Sequence, residues 1–166
     1  MKSNLTPFIK PHEILSEDEI KYLKKKDDLR GISLIIHAWV AIFICVSIYS
    51  LFPNAFTFLL AVILIGGRQL GLAILMHEGA HGLINNKAKS NDFISQWLCA
   101  FPVWLDTYGY RHYHLSHHRH TQKEEDPDIG LSKPFPVSKK SFSRKVMRDL
   151  FGISGSQQRY ELIFNI

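Results

Sequence analysis

Two long apolar runs dominate the pattern of hydrophobic and polar positions along the chain. Residues 32–52 contain no acid, Lys or Arg and a single His, and residues 55–76 contain one Arg and one Gln. Each run has about the length, roughly 20 residues, that a helix needs to cross the hydrocarbon core of a bilayer. The Pro53-Asn54 break between them predicts a turn, and therefore a helical hairpin. Two buried helices of a soluble bundle are the alternative, but such helices rarely stay apolar on all faces for this length.

Three shorter segments complete the predicted elements. Residues 15–26 contain Ser16 three residues before Glu19, a capping-box pattern that predicts a short charged helix. Residues 93–104 are apolar but too short to span, which favours a half-inserted or interfacial segment. Residues 138–151 combine an apolar stripe with basic positions, as in a helix that lies on a membrane surface or packs on a protein core. The pattern predicts an all-α integral membrane protein, a helical hairpin with cytosolic or interfacial helices.

The distribution of basic residues predicts the orientation of this hairpin. The net charge is +5, and seven Lys and Arg residues lie within residues 1–30, whereas the turn around residues 52–56 has none. The positive-inside bias therefore places both ends in the cytosol, with residues 1–30 as a cytosolic segment. We expect this membrane to be a bacterial inner membrane or the endoplasmic reticulum. Basic charge also suits anionic headgroups, and no motif indicates a nucleic-acid partner.

The second apolar run ends in a motif with two interpretations. His77-Glu78-Gly79-Ala80-His81 matches H-E-x-x-H, the zinc-protease signature, in which Glu78 is the general base. It also matches H-x-x-x-H, which places two imidazoles on one face of a helix, because four residues are about one turn.

A second histidine cluster decides between these interpretations. Residues 110–121 hold five of the nine histidines. At about 100° per residue, His114, His117 and His118 share one helical arc of roughly 100°, while His112 and His120 point away from it. With His77 and His81, five imidazoles are then available. A catalytic zinc needs only three protein ligands and a water, whereas five imidazoles suit two metal ions, and imidazole is a good ligand for iron.

With these two boxes, at 77–81 and 114–118, the sequence resembles the membrane fatty acid desaturase family. The matching flanks are Gly67-Arg68-Gln69, Thr121-Gln122 and Asp126-Pro127-Asp128, and the resemblance covers about residues 30–155. It implies a four-helix membrane domain with cytosolic boxes, two iron ions, O₂ as co-substrate and a lipid acyl chain as substrate. A separate electron donor such as a ferredoxin or a cytochrome b5-type protein is also implied.

The resemblance assigns a supporting role to further polar residues near the boxes. The residues expected to hydrogen-bond and orient ligand imidazoles are Glu78, His112, His120, Asp126 and Asp128. His112 and His120 are alternatively exposed, and the two aspartates alternatively belong to a solvated acidic loop.

The family's third histidine box, a further H-x-x-H-H, is missing from residues 31–166. We therefore expect a partial desaturase domain over these residues, the N-terminal part of a longer enzyme, which is inactive on its own. Hydroxylation or ketolation of a lipid or carotenoid on the same boxes is the main alternative reaction. A membrane zinc metalloprotease is the less favoured one.

Overall fold

The structure is a computed structural model that describes residues 10–164. All the regular secondary structure in the described residues is helical, and none of these residues forms a strand. This confirms the predicted all-α class. The chain divides into two compact units, Met1–Leu115 and Ser116–Ile166. Residues 1–9 of the predicted N-terminal segment, and residues 165–166 of the predicted desaturase domain, lie outside the described residues.

The first unit contains five helices in its described part, the last of which continues into the second unit. They are α1 (Glu17–Leu23), α2 (Asp28–Leu51), α3 (Ala55–Ala80), α4 (Ala88–Ile94) and α5 (Thr107–His120). A 3₁₀ turn precedes α1, and a π-helical segment, Ser95–Ala100, with a 3₁₀ turn, Phe101–Val103, connects α4 to α5. The predicted capping box is confirmed: Ser16 Oγ accepts the Glu19 N–H at 3.3 Å, and the Glu19 carboxylate accepts the Ser16 N–H at 2.8 Å.

The two long helices α2 and α3 form the predicted hairpin. Only three residues join them, and Asn54 caps α3 by accepting the N–H of Thr57 at 3.0 Å. In their most apolar 18-residue windows only 17% and 6% of the residues are buried. Core helices of a soluble protein would be mostly buried, so these exposed apolar surfaces favour contact with lipid. Both helices are long and apolar enough to cross a membrane.

The core of the first unit lies at the end of the hairpin where α2 begins and α3 ends. Its buried side chains come from α2, α3, the loop after α3, the π-helical segment and the 3₁₀ turn that follows it: Ile35, Ala38, Leu72, Leu75, Met76, Ile84, Cys99, Ala100 and Val103. The indole N–H of Trp39 donates to the carbonyl of Leu98 at 3.0 Å and joins α2 to the same segment. The apolar run at residues 93–104 therefore packs partly against α3, and its interfacial placement stays a prediction.

The second unit holds three further helices, α6 (Ile129–Ser132), α7 (Lys139–Leu150) and α8 (Ile153–Phe164). Helix α7 confirms the helix predicted at residues 138–151, and Ser138 caps it by accepting the N–H of Ser141 at 3.2 Å. Gly152, at φ 72°, makes the left-handed turn into α8, which packs against α7. Contact of α7 with a membrane surface stays a prediction.

Candidate metal centre

The first histidine box is positioned by the C-terminal end of α3. His77 lies in the last turn of this helix and His81 is the residue at which it ends. Their rings are 4.8 Å apart, centre to centre, and both are half-buried. This agrees with the face-sharing expected for two residues four positions apart in a helix.

Helix α5 is directed towards this box by hydrogen bonds at its first turn. The carboxylate of Asp106 accepts the N–H of Gly109 at 2.6 Å and the side-chain amide of Gln96 at 2.8 Å. The carbonyl oxygen of the Gln96 side chain accepts the N–H of Thr107 at 2.8 Å. Since the Gln96 side chain is itself buried, the start of α5 is attached to the core of the first unit.

Three imidazoles meet where α5 passes the end of α3. The ring centre of His114 lies 4.5 Å from that of His77 and 5.0 Å from that of His81. The Nε2 atoms of His81 and His114 are 3.0 Å apart, and the ligand nitrogens of the three residues all lie within 4.8 Å of one another. We call His77, His81 and His114 the imidazole triad. The ring of Tyr110 stacks on His114 with an interplanar angle of 13°.

The spacing of the triad fits a metal ion with imidazole ligands. Metal–nitrogen bonds to histidine are about 2.1 Å long, so two nitrogens that share an ion at a right angle lie about 3.0 Å apart. The two Nε2 atoms have this separation. Imidazole suits iron, zinc and copper alike, so the triad is suited to hold a transition-metal ion and its residue types do not select one metal.

Glu78 contacts the triad from outside. Its carboxylate lies 3.1 Å from Nδ1 of His77, so the ring N–H donates to it, and the Glu78 side chain is 41% exposed. A carboxylate that accepts from Nδ1 fixes the orientation of the ring and turns the opposite nitrogen towards the metal.

In the second unit, His117 has its own carboxylate partners. Its Nδ1–H donates to Asp126 at 2.7 Å and lies 3.4 Å from Asp128. Asp126 is only 2% exposed and also accepts the N–H groups of Gln122 and Asp128, at 2.8 and 2.9 Å. With three donors on its carboxylate, Asp126 is suited to orient the His117 ring. His117, Asp126 and Asp128 also offer ligand atoms within 4.8 Å of one another, a spacing that could hold a metal ion.

These contacts shift the two pKa values in opposite directions, and both shifts favour the charged form of the group. The hydrogen bond to Asp126 raises the pKa of His117, although burial of the ring opposes this effect. Burial raises the pKa of Asp126, but the donors from His117 and the two backbone N–H groups outweigh it, and the pKa lies below its ordinary value. Asp126 therefore stays a carboxylate that keeps the proton on Nδ1 of His117.

The remaining histidines of the second cluster have different surroundings. His112 is exposed and lies outside the triad, and His118 is exposed with its ring centre 5.9 Å from that of His117. His120 is half-buried, and within residues 10–164 its Nδ1 has no hydrogen-bond partner. Hydrogen bonds from His112 and His120 to ligand imidazoles stay predictions.

The sequence pattern did not single out Arg111, although it lies one turn before His114. Its guanidinium donates to the carbonyls of Gly79 and Ala80 and forms an ion pair with Asp92. The only local signal is its spacing of three residues from His114 on α5, because its partners lie 19 to 32 residues away along the chain.

Comparison with known proteins identifies the family. The fatty acid desaturase profile matches residues 53–165, more than half of the chain. Dihydrorhizobitoxine desaturase from Bradyrhizobium elkanii is 28% identical over 107 residues, which cover 63% of this chain and 30% of that protein. Beta-carotene ketolase from Paracoccus sp. (strain PC1) is 34% identical over 83 residues, which cover 46% and 33%.

The aligned region thus spans about a third of the length of these curated relatives. No solved structure matches the chain. The family match covers the end of the hairpin turn, all of α3 and both histidine boxes. The chain belongs to the fatty acid desaturase family.

Proposed function

We propose that the protein is an oxidoreductase that introduces a double bond into a lipid acyl chain in an O₂-dependent reaction at a di-iron centre. The observation that carries this proposal is the imidazole triad, which α3 and α5 assemble at the end of an apolar helical hairpin. Family membership supports the lipid substrate and association with a membrane.

His77, His81 and His114 would hold one iron ion. On α5, His118 lies one turn after His114, and we assign it and His117 as further ligands by this helical spacing. When bound, iron would supply the O₂ activation that removal of hydrogen from an unactivated methylene requires. A ferredoxin or a cytochrome b5-type protein would donate the electrons.

The residues around the ligands hold the rings in place and keep their tautomers. Glu78 accepts from Nδ1 of His77, and Asp126 accepts from Nδ1 of His117, so both rings would present Nε2 to a metal. Tyr110 restricts the plane of His114 by stacking. These contacts orient the imidazole rings. The proposed reaction needs no general base that activates water for hydrolysis.

The position of the triad explains how an apolar substrate would reach it. His77 lies in the last turn of α3, directly after the apolar stretch that is suited to cross the bilayer. An acyl chain would enter from the hydrocarbon region without crossing water. By the bias of basic residues, we place both boxes on the cytosolic side of a bacterial inner membrane or the endoplasmic reticulum.

The reaction is tested with the whole protein in a host membrane that lacks desaturases. Cells receive a perdeuterated saturated fatty acid, and mass spectrometry of the lipids measures the loss of two deuterium atoms. We expect this product with wild type and with His112→Ala, and none with His81→Ala or His114→Ala. No product with the full-length wild-type protein in air, when an electron donor is co-expressed, would contradict desaturation.

Metal analysis of the same preparations tests the centre independently of the reaction. We expect about two iron ions per chain, because more than three histidines are available as ligands. A single zinc, retained in His117→Ala and His118→Ala, would instead support the metalloprotease interpretation of the first box.

Ketolation or hydroxylation is the second candidate, and the 34% identity to a beta-carotene ketolase favours it. The same imidazole ligands would serve, while the substrate pocket would select a carotenoid or another lipid. Incubation under ¹⁸O₂ distinguishes the reactions, because ketolation or hydroxylation places ¹⁸O in the lipid product and desaturation places none there.

A further inference from the structure

We propose that Arg111 is a positioning residue that sets the distance between the two histidine-bearing helices, α3 and α5. This inference rests on the proposed metal site. Nε of Arg111 donates to the carbonyl of Ala80 at 2.8 Å, and Nη2 donates to the carbonyl of Gly79 at 3.0 Å. Both carbonyls belong to the first histidine box and lie between His77 and His81.

The end of α3 is suited to receive a guanidinium. The last carbonyls of a helix have no partners within the helix and carry the negative end of its dipole. Buried Asn91 donates to the same Gly79 carbonyl at 2.8 Å and the Gly82 N–H donates to it at 2.9 Å, so side chains from α4 and α5 complete this helix end together with the turn after α3. Any movement of Arg111 would therefore act on the backbone that carries His81.

Asp92 of α4 holds the guanidinium in place. Both Nη atoms of Arg111 approach the two carboxylate oxygens of Asp92, and the side chains are only 27% and 25% exposed. The hydrogen bond from Arg111 keeps the pKa of Asp92 below its ordinary value. Such a forked contact needs the planar geometry of arginine, and lysine cannot reproduce it.

The spacing on α5 links this contact to the metal site. Arg111 precedes His114 by three residues, so both side chains lie on neighbouring positions of the same helical surface. The start of α5 is attached separately through Gln96 and Asp106. Loss of Arg111 would thus leave α5 in the fold while releasing its second turn, where the His114 nitrogen must meet that of His81.

The test uses Co²⁺ as a spectroscopic probe, added to the metal-depleted protein in lipid nanodiscs. The affinity and the visible ligand-field bands are measured for wild type, Arg111→Lys, Arg111→Gln and Asp92→Asn. Lys89→Gln, an exposed position on α4, is the control for removal of one positive charge. Circular dichroism reports whether each variant keeps its helices.

We expect Arg111→Gln and Arg111→Lys to weaken Co²⁺ binding by about 10- to 100-fold, the usual effect of residues that orient metal ligands. The ligand-field bands should change as well, while Lys89→Gln matches wild type. Asp92→Asn should give the same change in the bands with a smaller loss of affinity. If Arg111→Gln loses its helical content, Asp92→Asn is the variant that tests the positioning role.

Wild-type affinity and unchanged bands in Arg111→Gln would overturn the positioning role, and so would full rescue by Arg111→Lys. His81→Ala separates this failure from failure of the metal site itself. If His81→Ala binds Co²⁺ as wild type does, the proposed site is wrong; if it loses Co²⁺ while the Arg111 variants do not, only the positioning role is wrong.

Discussion

The substitution Gly79→Ala tests how closely the first histidine box packs against the π-helical segment. In an exposed helix, this change stabilises a protein by about 1 kcal/mol through helix propensity. At residue 79, however, the added Cβ would overlap the Cβ and Oγ of Ser95 and lie 3.0 Å from Cδ1 of Ile84. Ser95 is fully buried, so it cannot move into solvent.

The structure predicts that this overlap outweighs the propensity gain. Insertion of a methyl group into a packed core costs about 1–3 kcal/mol. The upper end of this range applies because a hydrogen bond of 3.0 Å between the hydroxyl groups of Ser95 and Thr107 holds the Ser95 side chain in place. We expect a net loss of about 2 kcal/mol in the free energy of unfolding. Gly71→Ala is the control on the same helix, because nothing lies within 4 Å of its added Cβ. It should be neutral or stabilising.

Ser95→Gly tests whether overlap with Ser95 causes this loss of stability, because it removes both overlapping atoms. Alone it should cost about 2–3 kcal/mol, through lost hydrogen bonds and the flexibility of glycine. Combined with Gly79→Ala it should cost no more than that, so the two changes are strongly coupled. The assay is denaturant unfolding in detergent, followed by circular dichroism. The packing argument would be refuted if Gly79→Ala were as stable as wild type. It would also be refuted if the loss in free energy of unfolding in the double variant equalled the sum of the two single losses.

Three further predictions concern the site and its surroundings. Glu78→Gln should keep most of the bound iron and measurable activity, with a loss of about 10- to 100-fold; a variant that keeps its metal but is as inactive as His114→Ala would instead indicate a general base. A cysteine at Asn54 should react with a membrane-impermeant reagent only from the side opposite the cytosol, and labelling from the cytosol alone would reverse the proposed orientation. Arg111 lowers the pKa of Asp92 in the folded protein. The ion pair therefore stabilises the protein at pH values above the unfolded carboxyl pKa of about 3.9, and this stabilisation is lost as the pH falls through the lower folded pKa. The difference in stability between wild type and Asp92→Asn should therefore shrink below about pH 4, and a constant difference would show that the carboxylate charge is not the cause.

Features with a local cause were predictable from the sequence. The hairpin follows from the length and apolarity of two runs, and the capping box at Ser16 follows from contacts between residues three apart. The shared face of His77 and His81 likewise depends only on the helical repeat. In each case the interacting groups lie within one helical turn or one continuous segment, so the pattern of residue types contains the necessary information.

The assembly of the site depended on the tertiary structure. The helical repeat grouped His114, His117 and His118 by direction, but it contains no distance to any residue outside α5. Only the packing of α5 on the end of α3 places His114 at 3.0 Å from His81, and only the loop after α5 brings Asp126 to His117. These contacts join residues 33 and nine positions apart, and their geometry is set by how helices pack and how a loop folds back, which the local pattern of residue types does not specify.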